Sequence, residues 1–374
     1  MLWQIFLMIL GMVGLVVGGE LLVRGAAKLA ALAGISPLVV GLTVVAFGTS
    51  APELAVSLSA SLQGNTDIGI GNIVGSNIFN VLAVLGMSAL VAPLVVSSQL
   101  VRLDVPLMVA LSFLMLLLGF DGEISQLDGG ILFGILVVYI GWLIYQSRKE
   151  RKEVQDEFAE EYGTDEKLTA AGLFLQLGYI VAGLVALTFG SQWMVSGASE
   201  IARYFGMSDL LIGLTIVAVG TSLPEAAASV MASIRGERDI AVGNIVGSNI
   251  FNICCVLGLS SLASPAGIPV SEAALTFDIP VMIAVAVACL PIFVTGYAIA
   301  RWEGALFVFY YIAYTTYLIL EAVDSSWSHP LEVMMVGFVI PLTVITLLVT
   351  TFRALRKRFR NSPQREQGNA DSSE

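Results

Sequence analysis

The chain has 374 residues, 57% of them hydrophobic and 13% charged, with a formal net charge of −11 and a mean hydropathy of +0.87. Soluble domains carry about 25% charged residues, and even a large soluble core leaves about a quarter of the chain's surface in water. A soluble enzyme, a nucleic-acid binder and a disordered chain are therefore excluded, which leaves an all-α polytopic membrane protein and the question of where its acids sit.

A helix crosses a bilayer in about 20 apolar residues. Runs of that kind fall at 2–32, 36–62, 67–92, 98–120 and 128–147, then at 169–204, 208–234, 239–263, 273–296, 300–322 and 331–352. The first run has no basic segment ahead of it and leads straight into further apolar runs, so it reads as a span and not as a cleaved leader. The expected organisation is a first five-span unit (1–148), a hydrophilic linker (149–168) and a second five-span unit (169–322). An additional span (323–352) and a basic, polar cytoplasmic tail (353–374) follow. The linker holds eight acids and four bases and is expected to be a solvated loop. Cys254, Cys255 and Cys289 lie in apolar runs and read as small buried hydrophobes, while His329, the only histidine, falls in an outer loop.

Orientation follows from the basic residues, which favour the cytoplasmic side. Arg148, Lys149, Arg151 and Lys152 follow the fifth span; Arg353, Arg356, Lys357, Arg358 and Arg360 follow the eleventh. Six spans separate the clusters, so they share a side. Arg24, Lys28, Arg102, Arg235, Arg238 and Arg301 then join them, and Arg203 alone falls opposite. This predicts an outside N-terminus and a cytoplasmic C-terminus, and the short linker suits the inner membrane of a prokaryote.

One internal repeat dominates. Gly41-Leu-Thr-Val-Val-Ala-Phe-Gly-Thr-Ser-Ala-Pro-Glu53 recurs as Gly213-Leu-Thr-Ile-Val-Ala-Val-Gly-Thr-Ser-Leu-Pro-Glu225, and Gly71-Asn-Ile-Val-Gly-Ser-Asn-Ile-Phe-Asn80 recurs unchanged as Gly243 to Asn252. Weaker echoes pair Gly25-Ala with Gly197-Ala and Asp104-Val-Pro106 with Asp278-Ile-Pro280. Five spans lie between one copy and the next. An odd number sets the copies in opposite orientations, giving two inverted-topology five-helix repeats and a ten-helix core. That is the architecture of secondary transporters, which bind substrate near the midplane between the repeats.

Glu53 and Glu225 each fall midway along a span, where an ionised carboxylate costs several kcal/mol unless it is paired or liganded. Each follows Gly-Thr-Ser-x-Pro. Proline lacks an N–H and disfavours helix at the residue before it, so a break is expected across 48–52 and 220–224. Such a break is expected to free the carbonyls of Ala46, Thr49, Ala218 and Thr221, and irregular backbone at that depth has to line a cavity or be buried in protein. With the hydroxyls of Thr49, Ser50, Thr221 and Ser222 this makes an all-oxygen cage, which suits hard cations such as Ca2+ and Na+. Ser76 and Asn80 share one helix face, as do Ser248 and Asn252, although a serine can also bond back to its own helix. Asn77 and Asn249 point elsewhere and are expected to brace the broken backbone. Gly71, Gly75, Gly243 and Gly247 read as close-packing positions. Glu20 has Gln192 opposite it in the repeat, so it reads as a helix-surface charge; Asp67, Asp104, Asp239 and Asp278 read as helix-capping or first-turn acids.

The twice-repeated Gly-Thr-Ser-x-Pro-Glu and Gly-Ser-Asn-x-x-Asn, in inverted halves over the first ten spans, resemble the sodium/calcium exchanger family of the calcium:cation antiporters. The resemblance implies a first and sixth span that slide as a pair against the rest. It implies Ca2+ held by Glu53, Glu225 and the carbonyls of Thr49 and Thr221. Flanking Na+ sites would draw on Ala46, Ser50 and Ser248, or on Ala218, Ser222 and Ser76, with Asn80 and Asn252 lining the site. Some members carry Asp where Asn252 stands, and that Asp is tied to potassium in potassium-dependent relatives; Asn252 argues against potassium dependence here. The implied activity is exchange of Na+ for Ca2+ without a cofactor, the ions and the lipid bilayer being the partners, with no nucleic acid and no obligate protein partner. Proton-coupled exchange of Ca2+ on the same scaffold is the alternative. No nucleophile–base pair, Cys/His metal cluster or phosphate-binding glycine loop points to an enzyme or an ATP-driven pump.

Overall fold

The computed structural model describes residues 1–62, 66–162, 170–207, 218–323 and 325–346, together with 212, 215, 216, 348, 349 and 352; side chains at 66–68, 148–171 and 218 are outside that description. Its helices are α1 (Leu2–Ala33), α2 (Pro37–Thr49), α3 (Ala51–Leu62), α4 (Gly69–Val91), α5 (Leu100–Asp121), α6 (Gln126–Tyr162) and α7 (Ala170–Tyr204). They continue with α8 (Ala218–Gly220), α9 (Leu223–Arg235), α10 (Arg238–Ala263), α11 (Ala274–Val294), α12 (Arg301–Ala322) and α13 (Ser328–Thr346). Among the described residues nine helices are long and apolar enough to cross a bilayer, and α2 with α3, bent by 45°, makes a tenth. The expected span at 208–234 is described only in its second part, as α8 and α9; residues 208–211, 213, 214 and 217 lie outside the described set. The linker is not simply a loop. Its first part continues α6 as helix to Tyr162, and residues 163–169 lie outside the described set.

Four two-residue strands reveal how the halves are related. β1 (Leu94–Val95), between α4 and α5, pairs antiparallel with β4 (Ala298–Ile299), between α11 and α12. β2 (Glu123–Ile124), between α5 and α6, pairs with β3 (Ile268–Pro269), between α10 and α11. In the repeat, β1 is equivalent to β3 and β2 to β4. β1 and β2 sit at opposite ends of α5, and each pairs with the copy of the other. Equivalent loops therefore lie at opposite faces of the bundle, which is inverted topology stated in hydrogen bonds.

Burial then ranks the helices. The apolar stretch of α10 is buried throughout and that of α4 nearly so, whereas α12 and α13 bury little. The long helices α1 and α7 lie along one side as a pair. Their seam is made of glycines: a Cβ at Gly183 would come within 2.6 Å of Leu22 N and 2.8 Å of Gly18 O, and one at Gly190 within 2.9 Å of Gly11 O. In a bilayer, where apolar side chains gain nothing by leaving lipid, such close backbone approach is what holds helices together. Arg24 on α1 lies over the ring of Tyr179 on α7, 5.8 Å from its centroid, and Glu20 on α1 forms an ion pair with Arg235 at the end of α9. The additional helix α13 meets α12 through Tyr310, whose hydroxyl donates to Thr343 Oγ1 at 2.6 Å.

Candidate cation site between the repeats

The helix breaks fall at Ser50 (φ −80°, ψ 4°) and Ser222 (φ −93°, ψ 8°), two residues ahead of each proline. Ser50 N donates to Ala46 O at 3.0 Å and Leu54 N to Ser50 O at 3.1 Å. Ala46 O thus keeps a main-chain partner and also has the Thr49 hydroxyl at 3.4 Å, so the break does not free its carbonyl as expected. In the second copy Ser222 N turns to Val219 O (3.2 Å), and Ala218 opens α8. Among the described residues no main-chain N–H donates to the carbonyls of Thr49 or Thr221. Pro224, having no N–H, cannot serve the carbonyl four residues back; that carbonyl, Gly220 O, accepts instead from the hydroxyl of Ser191 on α7.

Glu53 and Glu225 stand in the first turns of α3 and α9 and are fully buried. Each takes a hydrogen bond from the break serine of the opposite repeat: Ser222 Oγ to Glu53 Oε1 at 2.9 Å, and Ser50 Oγ to Glu225 Oε1 at 3.1 Å. Ser76 Oγ lies 3.0 Å from Ser222 Oγ, and Ser248 stands beside Glu225. The second oxygen of each glutamate, Oε2, has no hydrogen-bond partner, and neither has Oδ1 of Asn80 or of Asn252. Among the described residues no Lys, Arg or His forms an ion pair with either carboxyl group. Unpaired buried charge costs several kcal/mol. Two buried carboxyl groups set among hydroxyl, carbonyl and amide oxygens have the donor set of a hard divalent ion.

A layer of six asparagines, five of them buried and Asn72 half-buried, surrounds these groups. Asn80 Nδ2 donates to Asn249 Oδ1 (3.2 Å) and Asn252 Nδ2 to Asn77 Oδ1 (3.1 Å), so each lining amide turns its nitrogen away and its oxygen inward. A π-helical turn begins at each of them, Asn80–Leu85 and Asn252–Leu257, and such widened turns are found preferentially at functional positions. Asn77 and Asn249 therefore brace the lining amides across the repeats, not the broken backbone. Asn72 and Asn244 were not singled out from the sequence. Each bonds the main chain of the glutamate in its own repeat (Asn72 Nδ2 to Glu53 O, 3.3 Å; Asn244 Nδ2 to Glu225 O, 3.4 Å) and accepts from the threonine of the other. The signal was present: residues 72, 76 and 80 are spaced by four and form one stripe, repeated at 244, 248 and 252.

Other expectations divide. Asp104 and Asp278 hold helix-start positions yet cap nothing with their side chains. Asp104 is buried and accepts from Tyr139 (2.8 Å) and Gln99 (3.2 Å); Asp278 accepts from Tyr314 (3.3 Å). Asp239 is a first-turn acid of α10, and the side chain of Asp67 lies outside the described set. Gly243 and Gly247 do pack closely, against Leu38 and Leu42 of α2; the equivalent partners of Gly71 and Gly75, at 210 and 214, lie outside the described residues. His329 is exposed and sits 3.5 Å from Glu332, and the three cysteines are buried and free.

A helical membrane protein of two inverted halves, with an acid behind the matching helix break of each, belongs by architecture among the secondary carriers. The chain belongs to the sodium/calcium exchanger protein family, whose model matches residues 3–145 and 175–320. It is 34% identical to the sodium/calcium exchanger MaX1 of Methanosarcina acetivorans, over 83% of this chain and 97% of that one. It is 39% identical to the inner membrane protein YrbG of Escherichia coli, over 71% of this chain and 81% of that one. At 27% identity it matches the Ca2+/H+ antiporter ChaA of Bacillus subtilis, over 77% and 85%. A solved structure of the sodium-calcium exchanger NCX_Mj superposes with a TM-score of 0.71 at 30% identity, covering 83% of this chain and 96% of that one.

Proposed function

We propose that this chain is a Ca2+ antiporter of an inner membrane, exchanging Na+ for Ca2+ by alternating access at the chamber between its repeats. The observation that carries this reading is the matched pair Glu53 and Glu225, each with one oxygen held by the other repeat and one oxygen without a partner. Two carboxylates balance one divalent ion, and the carbonyls of Thr49 and Thr221 complete an oxygen shell for it. Ala46, Ser50 and Ser248, with Ala218, Ser222 and Ser76, supply oxygens flanking the carboxylates for the smaller charge of Na+, and Asn80 and Asn252 line the middle. Loaded with Ca2+ or with Na+, the chamber approaches neutrality. Unloaded, it carries two charges in low dielectric, which opposes passage between outward and inward states and so suppresses leak.

The N-terminus is taken as outside and the C-terminus as cytoplasmic, with residues 1–148 and 169–322 as the two working halves. Proton coupling is the competing reading, because the same carboxylates can release Ca2+ to protons and a Ca2+/H+ antiporter is among the relatives. Reconstituted vesicles decide between them. Ca2+ flux is measured under an imposed Na+ gradient and, separately, under an equal H+ gradient. Uptake driven by Na+ is expected; uptake driven by H+ alone would overturn the sodium assignment.

A further inference from the structure

The cation ligands of the two repeats are held in register by something other than the ion. Asn72 Nδ2 donates to Glu53 O (3.3 Å) and to Ser57 Oγ (3.0 Å), both in α3, while its Oδ1 accepts from Thr221 Oγ1 (3.3 Å) in the break of the opposite repeat. Asn244 makes the same three bonds in mirror image: to Glu225 O (3.4 Å), to Ser229 Oγ (2.8 Å) and from Thr49 Oγ1 (3.1 Å). The chemistry admits only an amide here. The nitrogen has to face a main-chain carbonyl, which offers no proton, and the oxygen has to face a hydroxyl; aspartate lacks the donor, and lysine or serine cannot serve both ends at this reach.

Two consequences follow for the chamber. The Thr221 hydroxyl donates to Asn72 at 3.3 Å, and the Thr49 hydroxyl has Asn244 Oδ1 at 3.1 Å as its nearer acceptor and Ala46 O at 3.4 Å as its farther one, so each threonine is oriented by the asparagine of the other half. Each asparagine also ties the main chain that carries one glutamate to the break that carries the opposite threonine. It thereby sets the spacing between oxygens that come from different repeats. Size discrimination among divalent cations depends on cavity size and ligand flexibility, and this crossing joins groups that come from different repeats.

We propose that Asn72 and Asn244 are positioning residues of the cation site. They never touch the ion; they fix the Thr221 and Thr49 oxygens against Glu53 and Glu225 and so set both the affinity for Ca2+ and its preference over larger divalent ions. The inference rests on the reading of the two glutamates as cation ligands.

The test is a pair of double-mutant cycles on the purified full chain, with dissociation constants for Ca2+ and Ba2+ measured by isothermal titration calorimetry. Asn72→Ala is expected to weaken Ca2+ binding about tenfold, the effect of one or two lost hydrogen bonds, and to lower the Ca2+/Ba2+ affinity ratio. Thr221→Val should do the same, and Asn72→Ala with Thr221→Val should be no worse than either alone, because both remove one crossing. Asn72→Ala with Thr49→Val removes two crossings and should multiply to about a hundredfold. A role limited to general stability would leave the Ca2+/Ba2+ ratio unchanged and would not distinguish the two threonines; either result overturns the proposal. If Asn72→Ala is not recovered folded, Asn244→Ala with Thr49→Val and with Thr221→Val runs the same cycle at the mirror crossing. Glu53→Gln, measured alongside, separates the two levels. Wild-type affinity in Glu53→Gln defeats the cation reading itself. Lost affinity in Glu53→Gln with binding within twofold of wild type in Asn72→Ala defeats only the positioning role.

Discussion

Replacing Glu53 by glutamine changes one atom of a buried carboxylate and removes one unit of charge. The amide oxygen can still accept the Ser222 hydroxyl, which lies 2.9 Å from Oε1, so the local packing is kept. The consequences for the loaded and unloaded protein then have opposite signs. With Ca2+ bound, one positive charge is left uncompensated in a chamber that holds no other acid besides Glu225 among its described walls. Breaking a buried charge pair costs about 3–5 kcal/mol, which at 1.4 kcal/mol per decade is about two to three and a half decades in dissociation constant. Without Ca2+, the substitution removes a fully buried, unpaired acid, so the apo protein should melt no lower than wild type. The same argument applies to Glu225→Gln. Calorimetric titration with Ca2+ and a thermal melt in chelator measure the two halves of the prediction, and vesicle flux should be abolished in either variant. A Glu53→Gln protein that binds Ca2+ within tenfold of wild type, or that still exchanges, refutes the shared-site reasoning.

Two further outcomes test the frame around the site. Tyr139→Phe deletes the donor 2.8 Å from buried Asp104 and leaves Gln99 as the remaining side-chain donor; a loss of about 1–3 kcal/mol is expected, read as a lower melting temperature, and less than the summed single losses when combined with Asp104→Ala. Gly183→Leu places atoms where Leu22 N and Gly18 O already lie within 2.6 and 2.8 Å of a modest Cβ. It should force α1 and α7 apart, slow vesicle exchange and leave Ca2+ affinity near wild type, since neither helix supplies a carboxylate to the chamber; a loss of affinity as large as that of Glu53→Gln would contradict this division.

Much of the architecture is legible in the chain before any coordinates, because hydropathy and duplication act over whole spans. The break at Ser50 and its copy at Ser222 follow from a proline two residues on, which is local chemistry. What escaped was non-local. Asp104 looks like a cap because a proline follows it, and its partner Tyr139 is 35 residues away. Asn77 and Asn249 were assigned to the broken backbone, yet their partners lie on the other repeat, 175 and 169 residues distant. Asn72 failed to stand out because an asparagine in an apolar helix gives no hint of which groups it satisfies. Its i, i+4 stripe with Ser76 and Asn80 was the available clue. The helical course of the linker to Tyr162 was hidden by its charge, which argues for solvent exposure and says little about backbone conformation.

The four short strands bear on how such a molecule divides its labour. Each ladder is only two residues long, but one stitches the α4–α5 loop to the α11–α12 loop and the other stitches α5–α6 to α10–α11, at opposite rims of the bundle. Eight helix ends are thereby hemmed across the duplication, top and bottom, into a chassis that resists shear. The paired helices α1 and α7 enter neither hem. They are joined to each other through their glycine seam and meet α9 through the partly exposed ion pair from Glu20 to Arg235. The duplication is thus sewn to itself at both rims, while the long pair α1 and α7, one helix from each half, is left outside the stitching.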